Sequence, residues 1–187
     1  MILLTTSRRP TRGIRAFCKD FSHTIPNVTR INRGKLSLEG LVAKALELDA
    51  EKVVIVDRWR GGPGKIELFV LEEGELKPTP PLIYLRGVKL RRDFGTMPKG
   101  RRIKALAILA PLNFSQEISK FIKVLSEFFE IPIVSDLGEC ERFNAVMQFS
   151  TSPLGEIVAT FRLLPENFEI GPRIRVSHLI WDLTHES

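Results

Sequence analysis

An α/β fold made of two similar halves on mixed sheets is what this sequence predicts, and three observations predict it. Apolar runs of strand length alternate with stretches whose apolar residues recur at helical spacing. The run VVIVD (53–57) is continuous rather than alternating, as expected of a strand covered on both faces. A strand–helix–Ile-Pro–strand layout also occurs twice, as ILLT…IPNV and ILAP…IPIV, with Ile2 to Ile108 and Ile25 to Ile131 both 106 residues apart. The helix faces between these anchors superpose only after a two-residue shift.

In chain order, 2–5 reads as a short buried strand. TSRRPTR is a turn into a helix over 11–22, with Pro10 suited to its first turn. At 100° per residue Ile14, Phe17, Cys18 and Phe21 share one face, and Arg12, Arg15 and Lys19 share the opposite one. Residues 27–31 form a second strand and RINRGK a basic turn after it. A helix over 37–48 turns Leu38, Leu41, Val42, Ala45 and Leu46 inward. Strands follow at 53–57 and 65–71, and Pro78, Pro80 and Pro81 mark a linker before a strand at 82–85. From 87 to 102 the pattern dissolves. Beyond it come a strand at 105–110, a helix from a cap at Asn113 or Ser115 to about Phe129, and a strand at 131–134. A hairpin of 143–149 and 156–163 is next. The closing strand, 173–180, alternates Arg173, Arg175 and Ser177 against Ile174, Val176 and His178. One domain over 1–187 is expected, with a basic half (1–90), a connecting segment (91–104) and an acidic half (105–187).

Charge is where function first shows. Residues 1–104 hold 22 Lys and Arg against 11 Asp and Glu, whereas residues 105–187 hold 6 against 11. A basic half beside an acidic one points to a polyanion at one end, nucleic acid first and an acidic membrane surface second. No apolar run approaches the roughly 18 residues of a membrane span, so no membrane is expected. The initial MILLTTSRRPTR places apolar residues before charges, the reverse of a secretory signal. Cys18 and Cys140 lack any C-x-x-C pattern and read as reduced, buried thiols of a cytoplasmic protein.

The stretch RWRGGPGK (58–65) resembles a phosphate cradle only superficially. Trp59 stands where a Walker loop needs its first glycine, and Ile66 follows Lys65 where Ser or Thr should bind magnesium. A strand also follows, not a helix whose N-terminus could face phosphates. A glycine-rich hairpin accounts for the backbone, but not for Arg58, Trp59, Arg60 and Lys65 at one tip. Three cations around an exposed indole suit stacking on an unpaired base while neighbouring phosphates are neutralised; the alternative is a core Trp59 with solvated charges. The remaining basic clusters sit at predicted turns or strand ends: Arg8, Arg9 and Arg12; Arg30, Arg33 and Lys35; Arg86, Lys89, Arg91 and Arg92; Lys99, Arg101 and Arg102. With Arg15 from the first helix, and excepting the last cluster, these are the candidate RNA contacts.

Enzyme signals are poor. His23, His178 and His185 fit no metal-ligand spacing. Asp57 ends a strand, but it is equally placed to pair with Arg58 or Arg60. Ser7 and Ser177 have no evident base partner, so no catalytic set assembles and no cofactor is implied.

The segments 5–35, 53–71 and 80–95 resemble Brix-domain proteins, most closely the short stand-alone archaeal kind related to Imp-type factors that bind small nucleolar RNA. TTSR, RINRGK and the R-G-x-P-like hairpin carry the resemblance, which covers about half the chain. It implies a ribosome-biogenesis factor that binds ribosomal RNA or its precursor, without cofactor or catalysis. It also implies two halves each like the anticodon-binding domain of class IIa aminoacyl-tRNA synthetases. The family's basic turns fall on Ser7–Arg12, Arg30–Lys35 and Arg58–Lys65, and a monomer is expected. The alternative is a protein scaffold whose basic half docks on acidic assembly or ribosomal proteins. A hydrolase using Asp57 is a third reading, weakened by the missing base.

Overall fold

The computed structural model describes residues 1–59, 62–96, 102–110 and 113–184, with the backbone alone for Trp59, Gly62 and Pro63. Its first half runs β1 (Ile2–Thr6), α1 (Arg12–Thr24), β2 (Val28–Arg30), α2 (Leu38–Glu47), β3 (Lys52–Trp59), β4 (Gly62–Glu72) and β5 (Glu75–Lys89). The second half runs β6 (Leu106–Leu109), α3 (Gln116–Phe129), β7 (Ile133–Val134), β8 (Ala145–Thr151), β9 (Ile157–Leu163), β10 (Phe168–Glu169) and β11 (Arg173–Ile180). Each α-helix starts on a hydroxyl cap. Thr11 accepts from Ile14 N, Ser37 from Gly40 N and Ser115 from Ile118 N.

All the strands join one mixed sheet in the order β2-β1-β3-β4-β5-β11-β9-β8-β6-β7, with β10 beside β9. The order within the first half, second–first–third–fourth–fifth, recurs in the second half once β10 is set aside. In both halves the first strand is parallel to its two neighbours and the last pairs are antiparallel. A similar hydrogen bond opens each half, Ile2 N–H donating to Asn27 O and Ile108 N–H to Pro132 O, with the second acceptor one residue earlier than the 106-residue repeat would place it. The halves meet edge to edge where β5 pairs antiparallel with β11.

The largest core lies on one face of this sheet. It takes Ile14, Phe17, Cys18 and Phe21 from α1, and Phe121, Ile122, Leu125, Phe128 and Phe129 from α3. The Phe21 and Phe129 rings meet edge to face at 5.7 Å, so the helices of the two halves share one interior. On the other face α2 covers Leu3, Val53 and Ile55, while the turn Leu137–Cys140 covers Ala107 and Val146. Lys52 ties the halves together: its Nζ donates to Phe128 O at 2.8 Å, at the C-terminal end of α3, and pairs with Glu130.

Four expectations about the fold are overturned. Leu38 and Leu46, expected to face inward, are 52% and 60% exposed, because α2 buries only the narrow stripe of Leu41 and Ala45. Pro10 precedes the Thr11 cap and so stands before the first turn of α1, not in it. Pro78, Pro80 and Pro81 form no linker; they lie inside β5. Only Leu82–Lys89 of β5 pairs with β11, so residues 75–81 have a strand partner on one side alone, and a missing N–H is tolerated on such an edge. His178 does not continue the inward alternation of Ile174 and Val176. The β5–β11 register shifts between Arg175 and Val176 and again between Val176 and His178. An extra residue flips the side chains that follow it, so His178 is exposed and Leu179 buried.

Candidate nucleic-acid interface

Because β1, β2 and β3 are parallel, their C-terminal ends emerge on one rim of the sheet. That rim carries the turns after β1 and β2 and the end of β3; Arg8, Arg9 and Lys35 in the turns, Arg12 at the start of α1, Arg30 at the end of β2 and Arg58 near the end of β3 are all exposed. β4 starts there, with Lys65 opposite Asp57, and β5 ends there. Arg12 and Arg15 lie on the exposed face of α1, opposite Ile14, Phe17, Cys18 and Phe21. Among the described residues none of these arginines, nor Lys35, makes an ion pair. The first turn of α1 holds no acidic residue. Cations gathered at the positive end of a helix dipole repel it, an arrangement that a bound anion relieves.

Arg9 adds local strain. Its φ is 58°, in the left-handed region where a Cβ crowds the carbonyl that follows. Arg9→Gly is expected to raise stability by up to about 1 kcal/mol in urea unfolding. In RNA-binding assays the same variant should bind less tightly, because the rim then holds one cation fewer.

Arg33 and Arg91 correct the sequence-based expectation. Each is only 8% exposed. Arg33 Nε donates to Leu36 O at 2.7 Å and its Nη1 to Thr6 O at 3.1 Å. Its guanidinium thus knits the turn after β2 to the end of β1 and is not offered to a phosphate. Burial lowers its pKa, and the nearby Arg8 adds to this, while Asp57 and Glu67 oppose it. Arg8, Arg33, Asp57 and Glu67, from four segments, therefore share one neighbourhood. Arg91 donates its backbone N–H to Asp20 Oδ2 on α1, and burial lowers its guanidinium pKa against the pull of Asp20. It packs the post-β5 turn against α1.

The neighbours of Arg91 are partly engaged. Arg86 pairs with Glu156 at 3.0 Å, Lys65 with Glu67 at 3.7 Å and Arg92 with Asp93 at 3.9 Å. Lys89 sits over the Phe94 ring at 4.3 Å. Arg60, and the stretch 97–101 that includes Lys99 and Arg101, lie outside the described residues, as does the side chain of Trp59; Arg102 is exposed.

Catalytic candidates take structural roles. Asp57 Oδ1 accepts from the backbone N–H of Arg58 at 2.7 Å, a local cap at the strand end. Burial pushes the Cys18 thiol up to about 12, far from nucleophilic, and raises Cys140 too; both are free cysteines. Ser7 Oγ is buried with no hydrogen-bond partner among the described residues. Ser177, expected to lack a base, has His178 Nδ1 at 3.0 Å. Tyr84 O lies 3.2 Å from the same Oγ and can accept its proton. The contact with Ser177 holds the imidazole in place. Among the described residues no His, Cys, Asp or Glu cluster could hold a metal ion, and no helix is long and apolar enough to cross a membrane.

One feature of the opposite sheet face had no sequence signal. Tyr84 and His178 stack with centroids 4.5 Å apart and planes 9° from parallel. A pairing that depends on two register shifts is invisible to residue alternation.

No family model matches the chain. A probable Brix domain-containing ribosomal biogenesis protein from Pyrococcus horikoshii is 31% identical over 97% of this chain and 84% of its own length. One from Aeropyrum pernix is 40% identical over 48% of this chain and 50% of its own. The crystal structure of a probable ribosomal biogenesis protein from Aeropyrum pernix K1 matches with a TM-score of 0.78 at 29% identity, covering 96% of this chain and 98% of that one. An archaeal Imp4-like protein shares the fold with a TM-score of 0.67 at 20% identity, over 96% and 99% of the two chains.

Proposed function

The chain belongs to the Brix domain-containing ribosomal biogenesis proteins, and on that premise we propose that it binds ribosomal RNA or its precursor during subunit assembly, without catalysis or a cofactor. The observation that carries this reading is the rim. Exposed arginines from three successive parallel-strand ends surround the positive end of α1, and among the described residues none of them is held in an ion pair, although Asp57 and Glu67 stand in the same neighbourhood as Arg8 and Arg33. Such an excess suits a chain of phosphates, which arginines contact in bidentate fashion. In the same reading each half is related to the anticodon-binding domain of class IIa aminoacyl-tRNA synthetases; the strand order common to both halves supports their kinship to each other.

A salt titration tests it. With a labelled single-stranded fragment of ribosomal RNA, anisotropy should give log affinity falling against log salt by ~0.7 per phosphate neutralised. About six to eight contacts then predict a slope of roughly −4 to −6. A slope near zero removes the proposal.

A further inference from the structure

Where β5 meets β11 the sheet carries two compensating irregularities. Arg86 is the extra residue on β5, between the pairs Leu85–Val176 and Gly87–Arg175, and Ser177 is the extra residue on β11. Bulges re-aim side chains. Here the second turns His178 from the core side to the outer face, where it stacks on Tyr84 and is held by Ser177 Oγ. Ile83 and Leu85 flank Tyr84 in the core, so Tyr84 faces away from it. The helix α2 lies over the β1 and β3 end of this outer face, and the turn Leu137–Cys140 over the β6 and β8 end. Between them His178 is exposed, beside exposed Arg86 and Arg175 and half-buried Lys65. Arg175 lies against Gly87, where an added Cβ would stand 3.1 Å from Nη2. Lys65 is paired with Glu67 and Arg86 with Glu156, but Arg175 makes no ion pair among the described residues.

We infer that this Tyr84–His178 stack is a second RNA contact, a platform on which one unpaired base stacks while Arg175 meets its phosphate. An exposed imidazole backed by a phenol ring and bordered by cations matches a nucleotide, whose base offers a π face and whose backbone offers an anion. Among the described residues the exposed neighbours Arg86 and Arg175 are charged rather than apolar, which favours a polynucleotide over a protein segment. The inference rests on the RNA-binding reading but lies on the outer face of the sheet at the join of the halves, built by residues other than the exposed rim arginines. The two sites would grip one strand at separate points.

The test uses the full chain with a labelled 12-nucleotide oligouridine and a 12-base-pair RNA duplex, read by anisotropy in ~0.1 M salt. His178→Ala is expected to weaken oligouridine binding by about tenfold, the magnitude of one stacked base, and duplex binding far less. His178→Phe, which keeps a stacking ring without the imidazole, should restore most of the loss, with unchanged circular dichroism in both variants. If His178→Ala binds oligouridine like the parent while Arg58→Glu does not, the platform is refuted and the rim stands. Equal losses for both RNAs, or no recovery with phenylalanine, also refute it. A parent chain that binds neither RNA overturns both readings, and would leave a protein partner as the occupant of this face.

Discussion

Arg8→Glu combined with Arg58→Glu is expected to reduce affinity for single-stranded ribosomal RNA by at least about a hundredfold in ~0.1 M salt. Each charge-assisted hydrogen bond to a phosphate is worth about 1.5–3 kcal/mol, and tenfold in affinity is about 1.4 kcal/mol. Both side chains are exposed and neither makes an ion pair among the described residues. Stability should therefore barely change: surface substitutions of this kind stay within about 0.5 kcal/mol, or roughly 1–2 °C in Tm for a chain of this size. Affinity by anisotropy and Tm by circular dichroism separate the two quantities. A double variant that still binds with parental affinity would show that the rim is not the RNA contact.

Arg33→Ala should behave in the opposite way. Its guanidinium is buried and bonded to Leu36 O and Thr6 O. Removing it leaves two carbonyls without their donor at the junction of β1 and the turn after β2, a loss of about 3 kcal/mol. For a chain of this size that lowers Tm by roughly 6–12 °C. Arg33→Lys is expected to recover less than half, because an ammonium cannot reach both carbonyls in the fixed fork of a guanidinium. Thermal and urea unfolding check this. A stable Arg33→Ala variant with weakened RNA binding would make Arg33 a contact after all.

These two arginine sites lie in adjacent turns and look alike in sequence, because burial is not a property of one residue at a time. The amphipathic faces of α1 and α3, a cap for α3 at Asn113 or Ser115, the strand over 173–180 and the paired halves 106 residues apart are all legible in the sequence, because each depends on local spacing. The strand through Pro78–Pro81 is not, and reads as a linker. Proline punctuates a chain by default, and only the edge position of that part of β5 makes it compatible with a strand. The inward placing of His178 fails because alternation assumes an unbroken ladder.

By itself the sequence determined that this is an α/β protein with a repeated layout, a basic first half and cations concentrated at turns. Such properties follow from side-chain periodicity and charge, which the chain carries whether folded or not. Tertiary structure alone decided that three parallel strands bring Arg8, Arg30 and Arg58 to a single rim, that Arg33 and Arg91 are drawn inside while their neighbours stay outside, and that a bulge sets an imidazole on a phenol. The physical reason is that exposure and register are settled by strands distant in sequence competing for the same hydrogen bonds and the same buried volume.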